Sequence, residues 1–253
     1  MSFVLNCSGR GMVLHSLCEG FRCPVSELQN ELLGIDVEAA FASDPDIMVS
    51  ANQFLYKHIC SRLGQPDEVV SAYWFHGTRT AAANQFNEGI LPLNRSAEAV
   101  IRMLAECAPD STARTRISAW AVSSVPDDMF QLRHGNATHW GPYGSLVREV
   151  QLNNEETKHH NYSTMPELVE DVCNAYREEY GADLKQHYLA VLKPRIIWFI
   201  APPPDRQRCI EAALAYAYTS VRDLPPDSCA NWGIDRKGIA VPPEDIVQVE
   251  DLP

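Results

Sequence analysis

The stretch Tyr73-Trp74-Phe75-His76-Gly77-Thr78-Arg79 places an imidazole, a bare backbone, a hydroxyl and a guanidinium in four successive positions behind three aromatics. Such a set can hold a sugar or an amide while letting the ligand come close to the main chain. The plainer alternative is a strand-to-helix turn in which His76 and Thr78 only cap the following helix.

Other reactive residues are less well arranged. The eight cysteines include no C-x-x-C pair. Cys7, Cys18 and Cys23 with His15 can be drawn as a metal site, but their spacing fits no common zinc pattern. Reduced, mostly buried thiols are the expectation. His159-His160, beside Lys158 and Asn161, reads as a solvated pair, and no metal is expected. Ser123-Ser124 lacks the Gly-x-Ser-x-Gly elbow of a nucleophilic serine. Cys-His dyads can be drawn on paper, and nothing in the spacing selects one. There is no phosphate-binding glycine loop and no dinucleotide fingerprint.

The elements that must position the His-Gly-Thr-Arg segment follow from pattern. Residues 1–24 show no clear period and read as irregular. Leu28, Leu32 and Leu33, with Ser26 as cap and Gly34 as stop, predict a first helix. A short helix follows over Val37 to Ala42 and a third helix runs from Pro45 to Leu63, so residues 1–66 read as a small N-terminal helical module. Residues 67–253 form the main domain. Its anchor strand ends at the polar tetrapeptide, and a helix is expected from Ala81 to Glu88 with Gly89 as its stop. A helix capped by Ser96, a central strand over Ile117 to Ser123 and a short helix from Pro126 to Arg133 come next. A strand over Ser145 to Leu152 precedes a helical insert at 153–194, with helices from Met165 to Tyr180 and Leu184 to Leu192. Tyr176, Tyr180 and Tyr188 read as helix packing. Arg195 to Ile200 reads as a buried strand and Arg206 to Val221 as a helix. Ile239 to Val241 and Ile246 to Val249 are two last strands. Short strands with unequal inserts predict an α+β fold: a split, mostly antiparallel, twisted sheet flanked by helices.

Composition narrows the partners. The 253 residues are 45% hydrophobic and carry a formal net charge of -12. Lys and Arg are scattered, so stable nucleic-acid binding is not expected. The longest apolar run, Ile196 to Pro204, is far shorter than a membrane span. Residues 1–14 lack the pattern of a signal peptide, so a cytoplasmic protein is expected.

Phe75-His76-Gly77-Thr78-Arg79 with Gly89-Ile90-Leu91-Pro92 resembles the first motif of the diphtheria-toxin and poly-ADP-ribose-polymerase branch of the ADP-ribosyltransferases. The strand aromatic Trp120, Ser123-Ser124 and Phe130 are similar to that family's middle motif, and 238–246 to its last strand pair. The likeness covers roughly residues 73–132 and 232–250. It implies NAD as substrate. His76 would bond the adenosine-side ribose, the Gly77 backbone would pair with the carboxamide, and Thr78 and Arg79 would fix the loop, with Arg79 reaching a pyrophosphate. Phe130 would stack on nicotinamide with Trp120 closing the pocket, and Tyr143 is the rival stacker. His76 and Phe130 would then face one groove.

The chain departs from the family at the catalytic glutamate, whose place is held by Lys237-Gly238. Glu244 is the expected replacement if the Pro242-Pro243 turn brings it to the cleft, with Asp235 next and Glu149 third. The resemblance implies a mono-ADP-ribosyltransferase-like enzyme modifying a protein or nucleic-acid acceptor. It also implies a toxin, effector or defence protein acting in cytosol, with delivery into a target cell as one route. The alternative is an inactive NAD- or nucleotide-binding protein on the same fold.

Overall fold

The computed structural model describes residues 1–44 and 46–253. In chain order the helices are α1 (Arg10–Phe21), α2 (Val25–Gly34), α3 (Val37–Ser43), α4 (Ala51–Leu63), α5 (Leu93–Glu106), α6 (Ser111–Ser123), α7 (Asp128–Gly135), α8 (Asn154–Thr157), α9 (Glu167–Tyr180), α10 (Lys185–Val191) and α11 (Arg206–Ser220). The strands are β1 (Ser2–Leu5), β2 (Glu68–Thr80), β3 (Tyr143–Ser145), β4 (Lys193–Ala201), β5 (Gly233–Asp235) and β6 (Ile246–Asp251). The sheet order is β5-β3-β2-β4-β6, with β1 beside β2. β1 runs parallel to β2, while β2-β3 and β4-β6 are antiparallel. The fold is α+β, a sheet flanked by helices. No helix among the described residues is long and apolar enough to cross a membrane.

The chain divides into two compact units. The first comprises 1–75, 144–160 and 200–234, so residues 1–66 share it with two later segments. Its centre is α11, buried along most of its length because Ala212, Ala213, Ala215 and Ala217 let neighbours approach closely. Asp205 starts that helix by accepting from the Arg208 backbone N–H at 3.0 Å. Leu5, Leu17, Trp74 and Phe75 fill the same unit's core, and the Trp74 indole donates to the Ala201 carbonyl.

The second unit comprises 76–143, 161–199 and 235–253. Its helical core joins Leu104, Ile117, Trp120, Phe130, Val172 and Tyr188 from α5, α6, α7, α9 and α10. The helices expected at 165–180 and 184–192 are present, as are the strand at 195–200 and, in the first unit, the helix from Arg206. Tyr176 and Tyr180 stack, and Tyr188 is fully buried.

Several expectations fail for identifiable reasons. Residues 1–24 are ordered: β1 pairs with β2, and α1 follows. The expected start at Pro45 falls outside the described residues, and the helix itself begins at Ala51 behind a Ser50-Gln53 capping box. The helix capped by Ser96 starts three residues earlier, at Leu93 after Pro92.

Residues 117–123 form helix, not strand. Asp110 caps it, and Ala113, Ile117 and Trp120 lie on one buried face at helical spacing while Val122 is left exposed. Residues 81–88 form turns instead of a helix. The Asn84 side chain accepts from the Phe86 N–H, Phe86 has φ +55°, and the Arg195 guanidinium takes the Ala82 and Asn84 carbonyls. The strand expected over 145–152 is not formed: only Ser145 is in a strand, as the last residue of β3, and 148–151 turn as a 3₁₀ helix. Of 239–241 only Val241 pairs, in a bridge with Ile90.

Candidate functional site

The second unit contains a cavity of about 620 Å³. Its walls come from the end of β2, the 83–91 turns, α5, α7, the 139–143 segment and the start of α9. That volume suits a small-molecule ligand, for which sites run roughly 300–1,000 Å³. Gly89 permits its rim. The residue has φ +77°, and a Cβ there would lie 1.9 Å from the Val241 carbonyl oxygen. Only glycine lets Ile90 and Val241 exchange their two backbone hydrogen bonds.

β2 delivers His76, Thr78 and Arg79 to the wall. His76 Nδ1 lies 2.8 Å from the Tyr143 carbonyl oxygen. A carbonyl only accepts, so Nδ1 carries the proton. Burial holds the ring below its ordinary histidine value, with the Tyr143 carbonyl acting against it. The neutral ring therefore keeps Nε2 as an acceptor for a ligand hydroxyl.

Arg79 is only partly free. Its Nε donates to the Ser163 carbonyl, and Nη1 donates to the Leu189 and Leu192 carbonyls, at 2.5 to 2.8 Å. No carboxylate among the described residues pairs with it, and Nη2 has no acceptor among them. A guanidinium held in this way fixes the β2 end and retains one donor face for an anion. Gly77 is buried within β2 and is not on the cavity wall.

The aromatics divide unevenly. Phe130 lines the cavity but is 2% exposed, and His134 stacks on it at 5.3 Å between ring centroids. One face is thus already covered. Tyr143 also lines the cavity, is 39% exposed and donates its hydroxyl to the Thr138 carbonyl. It is the better platform for a planar ligand. Trp120 does not reach the cavity. It sits on the buried face of α6 in the helical core, a consequence of 117–123 being helix.

The expected acids are elsewhere. Glu244 is exposed in a 3₁₀ turn and is not on the cavity wall. Asp235 accepts from the Lys237 N–H and is also off the wall. Glu149 belongs to the first unit, where it takes the Tyr216 hydroxyl at 2.7 Å. The cavity has its own carboxylates: Glu88, Glu167 and Asp171.

Glu167 and Asp171 lie four residues apart on α9, so one helix face presents both. Arg133, three residues beyond Phe130 on α7, meets them. Its Nη1 donates to both Asp171 oxygens at 2.6 and 2.8 Å, and Nη2 lies 3.4 Å from Glu167 Oε1. Burial pushes the Asp171 carboxyl up to about 6, although Arg133 pulls it down. Burial also raises the phenols of Tyr162, to about 12, with the Glu167 charge adding, and of Tyr143, with the Asp235 charge and then that of Glu167 adding. The sequence signals for this group were the Glu167/Asp171 spacing and the cation following Phe130 on α7.

The remaining candidates stay outside this site. His159 is within hydrogen-bonding distance of Gln151 and Ser145 in the first unit. Cysteines are free thiols throughout, and those whose titration is perturbed, such as Cys7 and Cys18, are pushed up chiefly by burial. Among the described residues no group of three or more His, Cys, Asp or Glu is placed to hold a metal ion. No family model, curated protein or solved structure matches the chain.

Proposed function

We propose that the cavity of the second unit binds NAD and that the protein is a mono-ADP-ribosyltransferase-like enzyme, transferring ADP-ribose to a protein or nucleic-acid acceptor and releasing nicotinamide. The observation that carries this reading is that His76, Tyr143 and Phe130 line a single cavity whose wall also presents two guanidiniums, Arg79 and Arg133, and three carboxylates. The chemistry fits the substrate. A neutral His76 accepts from a ribose hydroxyl, Tyr143 offers a ring face to the pyridinium, and the spare Nη2 of Arg79 suits a pyrophosphate oxygen. Loss of a cationic leaving group needs little acid catalysis. It needs the ring held flat and negative charge near the sugar carbon.

A second reading is favoured by one observation: Glu244, the acid expected to complete the site, is off the cavity wall. On that reading the protein binds NAD or a related nucleotide without turning it over.

The test incubates the purified chain with NAD labelled in the nicotinamide ring. The enzyme reading expects nicotinamide release and a rise in Tm with NAD. His76→Ala is expected to lower kcat/KM about 5- to 30-fold, the effect of losing one or two kcal/mol of hydrogen bonding in a buried site. A Tm rise without nicotinamide release selects the binding reading. Neither response rejects both.

A further inference from the structure

We propose that Glu167 is the catalytic carboxylate of this cavity, supplied by the first turn of α9 in place of Glu244. The proposal rests on the reading of the cavity as an NAD site. It follows from comparing the three acids on the wall. Asp171 is buried and has both oxygens held by the Arg133 guanidinium. Glu88 is exposed in the turns at the cavity rim, with no ion pair among the described residues to orient it.

Glu167 alone is both oriented and available. Oε1 is 3.4 Å from Arg133 Nη2, and the other oxygen has no partner among the described residues. Its side chain is 38% exposed, so it can meet a ligand without first being released from the core. It lines the same cavity as Tyr143 and Tyr162, the aromatic wall where a pyridinium would lie, whereas Asp235 does not line it. It occupies the first residue of α9, where the helix dipole favours a negative charge. Arg133 acts as a positioning residue, tying Glu167 to the buried Asp171.

In the reaction the bond between the sugar carbon and the nicotinamide nitrogen breaks, and its electron pair stays on that nitrogen. The Glu167 carboxylate faces the positive charge that builds at the carbon. The oxygen of a hydroxyl acceptor, or of water, forms the new bond to that carbon. The acceptor's proton passes to Glu167 and then to solvent, so the products are ADP-ribosylated acceptor, nicotinamide and one proton.

The experiment measures nicotinamide release and NAD affinity for the full chain and for Glu167→Gln, Glu167→Asp and Glu244→Gln. Expected for Glu167→Gln is a fall in kcat of roughly 100-fold or more with NAD affinity changed less than threefold. Glu167→Asp, which keeps the charge one methylene further back, should fall less, and Glu244→Gln should match the parent. Parental kcat in Glu167→Gln or in Glu167→Asp overturns the assignment, as does a 100-fold loss in Glu244→Gln. If the parent binds NAD without releasing nicotinamide, the catalytic assignment falls while NAD binding stands. If it neither binds nor cleaves NAD, both fall together.

Discussion

Two buried acids, one in each unit, are handled in opposite ways. In the first unit Glu211 lies on α11, 5% exposed, and accepts a hydrogen bond from Gln207 one turn back on the same helix. A neutral amide of local origin satisfies it, and the helix around it is packed on nearly all sides. In the second unit Asp171 is 3% exposed and is held by Arg133 from another helix, on the wall of a cavity. There the acid is kept by a full charge of opposite sign and shares that charge with Glu167. Burying an ion pair at a cavity wall costs stability that a packed neutral arrangement avoids. The second unit has been built to present charge, whereas the first hides it.

The sharpest way to break this contrast is to remove the neutralising group in each unit. Arg133→Met strands Asp171 and is expected to cost about 3 kcal/mol by urea denaturation, the lower end for a broken buried pair, since Asp171 can take up a proton instead. Gln207→Ala removes only a neutral donor and is expected to cost about 1 kcal/mol. Equal losses would end the distinction.

Acid titration should sharpen it. Asp171 holds its proton more tightly in the folded chain, titrating near 6 rather than the ordinary 3.8. Its contribution is fully present below pH 3.8 and is lost as the pH rises through 6. The difference between the two corresponds to roughly 3 kcal/mol. The stability of the parent relative to Asp171→Asn should therefore fall by about 2–3 kcal/mol between pH 4 and 7. A flat difference over that window would contradict the burial argument.

The smallest comparison uses two glycines. Gly89→Ala in the second unit meets both a positive φ and the Val241 carbonyl, and is expected to cost at least about 2 kcal/mol with loss of ligand binding at the rim. Gly64→Ala in the first unit also has a positive φ, +85° with ψ 179°, but open space around it, so it adds only the strain of that conformation, about 1–3 kcal/mol, with no clash and less than Gly89→Ala. Thermal melts of the two variants decide it.

Legibility in the sequence followed the range of the forces. Leu168, Val172, Ala175 and Tyr176 repeat at helical spacing, and the helix over 167–180 could be placed from them. The strand at 195–200 was equally plain, because β-branched and aromatic residues run together there. The turns at 81–88 were not legible, since the cation that takes their carbonyls comes from Arg195, more than a hundred residues later. Residues 117–123 misled because Ile117 and Val122 favour strand locally, while the Asp110 cap and the 113/117/120 face decide for helix. That one error carried Trp120 into a pocket it does not line.

For the cavity, the sequence by itself singled out the His76 segment, Phe130 and Tyr143, because unusual side chains beside glycine and strand aromatics are a local signature. Which acid accompanies them was settled only by tertiary packing. Glu244 stands in a motif-like position but is turned out to solvent, whereas Glu167 and Asp171 look like ordinary helix surface until α7 sets Arg133 against them. Local pattern depends on a few neighbouring residues. The pairing of α7 with α9 depends on burial summed over the whole second unit, which no short window of the chain contains.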